Sequence, residues 1–442
     1  MIAKNSRSNK LLLLQILLLD LIGFSLIFPL VPDLLEFYLT NASKHPLDAW
    51  LIGLKDILYM LLPEDRKSQN DLIIILGGVL ASLYSFLQFL ISPTWGRLSD
   101  RIGRRPVLIY TSLGLSISYL IWAFFPSFTA FVISRILGGI FAGNLGVATA
   151  SMADMTEAKD RTKSMGLLGA AFGIGFIIGP VVGGISSLWK LNEIFPEAAF
   201  LHPFTGCALI SFFLALASAL RNFTSFQETL TEKSRAEDRW IRNPFSILKD
   251  LNSSGFFYLI LINFFYILLF SGFEFSLTFF YKLDFQLNPF EIGFIFLYLG
   301  FLIAIGQGGI VRVLTPKIHE KKMAQIGIIL IPLPLVLLGY SSPFVAISIA
   351  LLFPVAIGSA LAMPSLTGLA SILSPVNRQG AAMGVFRSSG SLARAVGPLT
   401  GGYLYWIFGI EITYWILSLS IAFVFLLTFK IKNGKKEDLP VN

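Results

Sequence analysis

Gly179-Pro180-Val181-Val182-Gly183-Gly184 and, about half a chain length later, Gly397-Pro398-Leu399-Thr400-Gly401-Gly402 are two versions of one pattern in a chain of 442 residues. Each closes an apolar run dotted with glycine. Gly169, Gly173, Gly175 and Gly179 lead through the first, and Gly380, Gly384 and Gly390 lead into the second. Small residues at steps of about one turn let two helices approach closely in lipid, and proline bends a helix near its end. Helix packing accounts physically for these glycines. Their recurrence adds something else: the chain reads as two copies of one unit.

The composition around the pattern fixes the solvent. Hydrophobic residues make up 55% and charged residues only 14%, against roughly 25% charged in soluble chains. Mean hydropathy is +0.74. A soluble, disordered or fibrous protein is excluded. The single cysteine, Cys207, excludes a disulfide framework and a multi-cysteine metal cluster, and three histidines leave little for a His-rich site. A spanning helix needs about 20 mostly apolar residues. Twelve such runs are present, near 11–36, 72–95, 106–126, 129–152, 164–186 and 204–221, then 256–281, 290–313, 323–341, 344–371, 378–402 and 408–430. Backbone groups in hydrocarbon must pair internally, so the runs are predicted as helices, spans 1 to 12. The first is too long for a signal-peptide core and has no small-residue cleavage site. The fold class expected is all-α, with two pseudo-symmetric six-helix halves. Residues 1–221 and 256–442 form the halves, and 222–255 is a polar linker carrying Glu228, Glu232, Lys233, Arg235, Glu237, Asp238 and Arg239.

Lysine and arginine set the orientation. With the N-terminus inside, 25 of the 34 fall in cytoplasmic segments, 6 fall on the other side, and Arg135, Arg387 and Arg394 fall inside helices. This asymmetry places both termini in the cytoplasm and absorbs the +8 net charge, leaving no call for a nucleic-acid partner. One outer segment stands apart. Trp50, Leu51, Leu54, Ile57, Leu58, Leu61 and Leu62 recur at helical spacing behind Asp48, a candidate N-cap. Two readings stand: an interfacial helix on the outer leaflet or over the cavity mouth, or a short helix packed on the bundle.

Between spans 2 and 3 lies Gly96-Arg97-Leu98-Ser99-Asp100-Arg101-Ile102-Gly103-Arg104-Arg105-Pro106. Gly96 and Gly103 are expected to supply a tight turn. Asp100 would sit near a helix N-terminus and pair with Arg104 or a neighbouring helix. Such a cluster, Gly96, Asp100, Arg101, Gly103 and Arg104, can latch the halves in one state and release them in another. A purely topological role for the arginines is the alternative, and the glycine and aspartate spacing speaks against it.

The 96–106 stretch resembles the signature loop of the major facilitator superfamily. Arg135-Ile136-Leu137-Gly138-Gly139 is similar to its Arg-x-x-x-Gly motif. The run with Gly175, Gly179, Pro180, Gly183 and Gly184 is similar to the motif associated with drug–proton antiporters. Leu19-Asp20-Leu21-Ile22-Gly23 through Pro29-Leu30-Val31-Pro32, Phe270-Ser271-Gly272-Phe273-Glu274, Arg387-Ser388-Ser389-Gly390 and Leu392-Ala393-Arg394-Ala395 resemble the tetracycline transporter-like branch. The likeness covers nearly the whole chain. It implies the twelve-helix major-facilitator fold and a transporter coupled to H⁺ rather than Na⁺. True tetracycline exporters carry an acidic residue in span 3, where this chain has Ser118-Tyr119, and another in span 9, where it has Ile331-Pro332-Leu333. Those departures argue against tetracycline as the cargo.

Charges at mid-bilayer cost about 2.5–3.5 kcal/mol on insertion scales, so each one is a functional candidate. Asp20 falls near the middle of span 1 and Arg135 in span 4. They are expected to pair across a cavity, and a carboxylate whose proton affinity depends on its partner is what proton coupling needs. A static ion pair fixing helix packing is the equal alternative for Asp20; a structural or tuning role is favoured for Arg135. Arg387 and Arg394 are seven residues apart, on one face of span 11. Asn263, Tyr266, Phe270 and Glu274 form a stripe on span 7, the first three as candidate cargo contacts and Glu274 as a candidate proton-coupling group beside Asp20 and Arg135. Arginines therefore exceed carboxylates in this half, which favours anionic or zwitterionic cargo. Arg387 leads as a cargo-binding residue, with Arg394 as a packing anchor or partner of Glu274. Asn144 and Gln307 are further hydrogen-bonding candidates, although interhelical bonds are their other reading.

No nucleotide-binding loop, His-Glu metal motif or nucleophile elbow is present, so neither an enzyme, a metal nor a cofactor is expected. Parallel six-helix repeats place the substrate site at the midplane between halves, with alternating access. The expectation is proton-coupled export of small amphipathic organic compounds, organic anions included. The partners would be the cargo, protons and membrane lipid, and the protein a monomer. The short termini point to a bacterial inner membrane. A lipid or lysolipid flippase, or a receptor or scaffold that has lost transport, are the alternatives.

Overall fold

The computed structural model describes residues 2–60, 68–156, 161–230, 255–315, 317–374 and 379–431. Residues 231–254 of the linker, Arg378 and the lysines after Lys430 lie outside the described residues, as do Arg66, Lys67 and Lys159. Every regular element among the described residues is a helix. Spans 1 to 10 run Ser8–Lys44, Gln69–Ile102, Arg104–Phe124, Phe128–Asp154, Leu167–Ile194, Thr205–Thr224, Phe256–Leu283, Pro289–Leu314, Glu320–Gly339 and Val345–Leu373. The last stretch, Ala382–Lys430, is too long for one crossing. Gly409 breaks it with φ 79° and ψ 175°, a left-handed value that side chains disfavour, and so separates spans 11 and 12. The fold is the twelve-helix membrane architecture expected from the hydropathy.

By their contacts the residues gather into two units, 1–238 with 277–300 and 239–276 with 301–442. In the first, Leu13, Ile16, Leu17, Val107, Leu108, Val147, Met152 and Phe226 form a buried apolar core. Leu277–Gly300, the end of span 7 and the start of span 8, packs in this unit. Lys282 there meets Asp33 at 2.7 Å.

The glycine pattern translates into the same contact in both units. In span 5, Gly175, Gly179 and Gly183 press on span 1. A Cβ at Gly175 would lie 2.5 Å from that of Leu21, and at Gly179 and Gly183 it would overlap Ser25 and the Leu26 carbonyl. Gly184 and Pro180 meet Phe290 and Gly293 of span 8. In span 11, Gly397 and Gly401 press on span 7: a Cβ at Gly397 would lie 2.8 Å from the Leu268 carbonyl, and one at Gly401 would overlap Gly272. Gly169 and Gly173 belong to no such contact, since nothing lies within 4 Å of a Cβ built there. The packing face of span 5 therefore begins at Gly175, not at Gly169.

The loop between spans 2 and 3 differs from its sequence reading. Gly96 lies inside a continuous helix, Gln69–Ile102, with open space beside it. Only Gly103 makes the turn, at φ 110°. Asp100 sits in the last turn of that helix, not at an N-terminus, and pairs with Arg104 at 2.5 Å. Arg104 also meets Asp154 at 2.9 Å, while Arg101 is exposed. The free backbone N–H groups of Arg104 and Arg105 donate to the Glu228 carboxylate at 2.9 and 3.1 Å, where a helix N-terminus favours negative charge. At the opposite end of the bundle's first unit, the Asp48 carboxylate caps the start of span 4, not the helix Ala49–Met60. It accepts from the N–H groups of Phe128 and Thr129 at 2.9 and 2.8 Å.

Candidate transport site

The first half holds one carboxylate at the centre of a buried polar chain. Asp20 is 9% exposed, and its Oδ2 accepts from Asn144 Nδ2. Asn144, itself buried, accepts at Oδ1 from the Thr111 hydroxyl, and its Nδ2 also reaches Ser112 Oγ at 3.3 Å. Ser112 Oγ meets Ser218 Oγ at 3.1 Å and Asn222 Nδ2 at 3.5 Å. Spans 1, 3, 4 and 6 are thus tied by small polar side chains, which in lipid are worth about 0.6–2 kcal/mol each. Asp20 Oδ1 meets no partner.

Arg135 does not complete this chain. It is 4% exposed, and its guanidinium lies over the rings of Phe131, Trp122, Tyr119 and Tyr84 at 5.3, 5.4, 5.6 and 6.0 Å. Its Nε reaches Ser134 Oγ at 3.4 Å and its Nη2 has no partner. The expected Asp20–Arg135 ion pair is absent. Cation–π contacts of about 0.5–2 kcal/mol each offset part of the several kcal/mol that burying a guanidinium costs.

The second half is arranged otherwise. Glu274 and Arg394 are half-buried and within electrostatic reach of one another. Arg387 is the more exposed of the two arginines. Asn263 donates to the Phe386 carbonyl at 3.2 Å and Ser389 Oγ at 3.3 Å, which ties span 7 to span 11. Tyr266 is fully buried and stacks on Phe270 at 6.0 Å. Gln307 is exposed on a π-helical turn, Gly306–Val311, where Gly308 and Gly309 face open space. Such turns recur at functional sites.

The stripe read on span 7 therefore divides. Asn263, Tyr266 and Phe270 hold the half together, and only Glu274 keeps polar exposure. Asn144 and Asn263 use their amides between helices. Sequence reading missed Thr111, Ser112, Ser218 and Asn222. Their signal was polar side chains at helical spacing, four apart in span 6, within otherwise apolar runs. Glu228 was visible only as part of a polar linker, and the rings around Arg135 only as members of an aromatic-rich composition.

This architecture, with charges inside the spans of both repeats, is that of a polytopic membrane protein. A model of the Major Facilitator Superfamily matches residues 13–398 and 313–440, and the chain belongs to that superfamily. Major facilitator superfamily domain-containing protein 10 of Bos taurus is 33% identical over 94% of this chain and 90% of its own length. The tetracycline resistance protein, class B, of Escherichia coli is 28% identical over 97% and 99%. Among solved structures, the human organic anion transporter MFSD10 (TETRAN) superposes with a TM-score of 0.72 at 28% identity, over 96% of this chain and 99% of that one. The protein is an integral, multi-pass transporter of small molecules. Relatives from cattle and from a bacterium do not support the expected bacterial inner membrane.

Proposed function

We propose that this transporter exports small amphipathic organic anions from the cytoplasm in exchange for protons, by alternating access, with both termini cytoplasmic. The carrying observation is the pair of intramembrane carboxylates in unlike settings. Asp20 is buried with no cationic partner, and Glu274 is half-buried near Arg394. A carboxylate buried without a cation is stable only when it can take up a proton, which makes Asp20 the coupling group. Arg387 and Arg394 outnumber Glu274 and favour an anionic cargo. The relative named as an organic anion transporter supports the cargo class, and the relatives named for tetracycline resistance support export. The coupling ion is H⁺, and the surrounding partner is lipid around a monomer.

The test is flux in proteoliposomes under an imposed pH gradient, with radiolabelled aryl carboxylates and their neutral amides as cargo. Asp20→Asn is expected to abolish gradient-driven flux while exchange of cargo across the membrane continues. Full gradient-driven flux in that variant would sink the reading. Amides carried as well as carboxylates would sink the anion preference.

A further inference from the structure

Three features compete outside the cargo site: the exposed apolar helix Ala49–Met60, the dry guanidinium of Arg135, and the amide of Asn144. The last is carried furthest by geometry. We propose that Asn144 is a positioning residue that sets the proton affinity of Asp20, its amide offering one complete hydrogen-bond arrangement for each protonation state. The inference rests on the role given above to Asp20.

An ionised carboxylate only accepts, a carboxylic acid donates one bond, and an asparagine amide presents a donor and an acceptor on opposite sides. In the structure Nδ2 faces Asp20 Oδ2 and Oδ1 faces Thr111 Oγ1. That arrangement suits the ionised state, since Nδ2 donates to the carboxylate and the Thr111 hydroxyl donates to Oδ1. Turning the amide by half a revolution exchanges the two groups without moving the helices. Oδ1 then accepts from the protonated carboxyl of Asp20, and Nδ2 donates to Thr111 Oγ1. The Thr111 hydroxyl proton has somewhere to go in that state, because Oγ1 also lies 2.8 Å from the Val107 carbonyl. Ser112 Oγ serves both arrangements, as acceptor from Nδ2 in the first and donor to Oδ1 in the second.

Ser218 also lies within hydrogen-bonding reach of Asp20, but a hydroxyl lacks the paired donor and acceptor of an amide. Tyr84 of span 2 and Tyr119 of span 3 are the titratable groups within electrostatic reach of Asp20. Arg135 lies beyond, over both of their rings. Spans 4 and 6 bring Asn144 and Ser218, which carry no charge. With Asn144 replaced by an apolar side chain, the ionised state of Asp20 loses its amide donor and keeps only the Ser218 hydroxyl, while the neutral state loses less. Hydrogen bonds to charged groups are worth about 1.5–3 kcal/mol, so the protonation midpoint is expected to rise by about 1–2 pH units.

The experiment is a pH titration of the full-length protein in nanodiscs, followed by the infrared C=O band of protonated carboxyl groups. Asp20→Asn assigns the band by removing it. Asn144→Leu is expected to raise its midpoint by about 1–2 pH units, and Asn144→Ser, which keeps a short donor, to return most of the shift. The pH midpoint of transport should move with the band. Should Asn144→Leu fold poorly, Ser112→Ala provides the second variant, with a smaller rise expected. An unchanged midpoint in folded Asn144→Leu or Ser112→Ala overturns the inference. Loss of the transport reading shows separately, as gradient-driven flux that survives Asp20→Asn, and leaves the infrared result to decide on Asn144.

Discussion

The two halves use the same backbone contact and different polar chemistry. Gly183 meets span 1 and Gly401 meets span 7 through bare main chain, so the repeat is preserved where atoms touch most tightly. Around the charges the symmetry is gone. Asp20 is enclosed in a chain of hydroxyls and amides, and Arg135 sits apart among aromatic rings. Glu274 instead has a cation within electrostatic reach, and Arg387 stays exposed. The lesson is that close helix packing constrains both repeats alike. Side chains that face polar partners are free to diverge, and here they have divided into an enclosed carboxylate in one half and an accessible arginine in the other.

Replacing the shared contact should give the largest effect. Gly183→Leu and Gly401→Leu both drive a side chain into opposing backbone, and overpacking of this kind costs about 3 kcal/mol or more. Each is expected to abolish monodisperse protein in size-exclusion chromatography. A tolerated variant in one half only would break the symmetry claim. Next comes the proton side: Asp20→Asn should reduce gradient-driven flux to background, whereas Glu274→Gln should lower affinity and leave coupling measurable. The reverse result would exchange the roles of the halves.

A smaller effect concerns His202, just outside span 6. Burial pushes its imidazole down to about 4, and its Nε2 lies 2.8 Å from the Trp122 carbonyl. The neutral ring is the folded form, so the unfolded chain binds more protons between pH 6.5 and about 4. Stability is therefore full above 6.5 and falls as the pH drops through that window, by on the order of 3 kcal/mol at most. Thermal unfolding in detergent should show this loss, and His202→Gln should flatten it. On the anion side, Arg387→Ala should weaken carboxylate binding about tenfold, near the lower end of what a hydrogen bond to a charged group contributes, and neutral amides hardly at all. Equal losses would remove Arg387 from cargo recognition. The smallest effect is Gly169→Ala, expected to leave the melting temperature within error because open space surrounds that position.

Much of this was legible in the primary structure. The twelve spans and the repeat needed only hydropathy and the pairing of backbone groups in lipid. Asp20, Arg135, Glu274, Arg387 and Arg394 were legible because a charge inside an apolar run is rare. Their partners were not. Asp20 and Arg135 looked like a pair because opposite charges in neighbouring spans attract, yet the rings of Tyr84 and Tyr119 lie against the guanidinium. Gly96 and Gly103 looked alike as turn residues, and only the second has the left-handed backbone that requires glycine. Asp48 precedes one helix in sequence but caps another that begins at Phe128.

Taken alone, the chain of amino acids determined how many times it crosses the bilayer, that it is doubled, and which charges it carries into hydrocarbon. Those follow from transfer energies and periodicity, which are local properties. Tertiary structure alone decided which donor meets which acceptor: Asn144 with Asp20, Glu228 with the start of span 3, and four aromatic rings with Arg135. Such pairings join residues far apart along the chain, and a hydrogen bond that depends on tenths of an ångström leaves no trace in spacing.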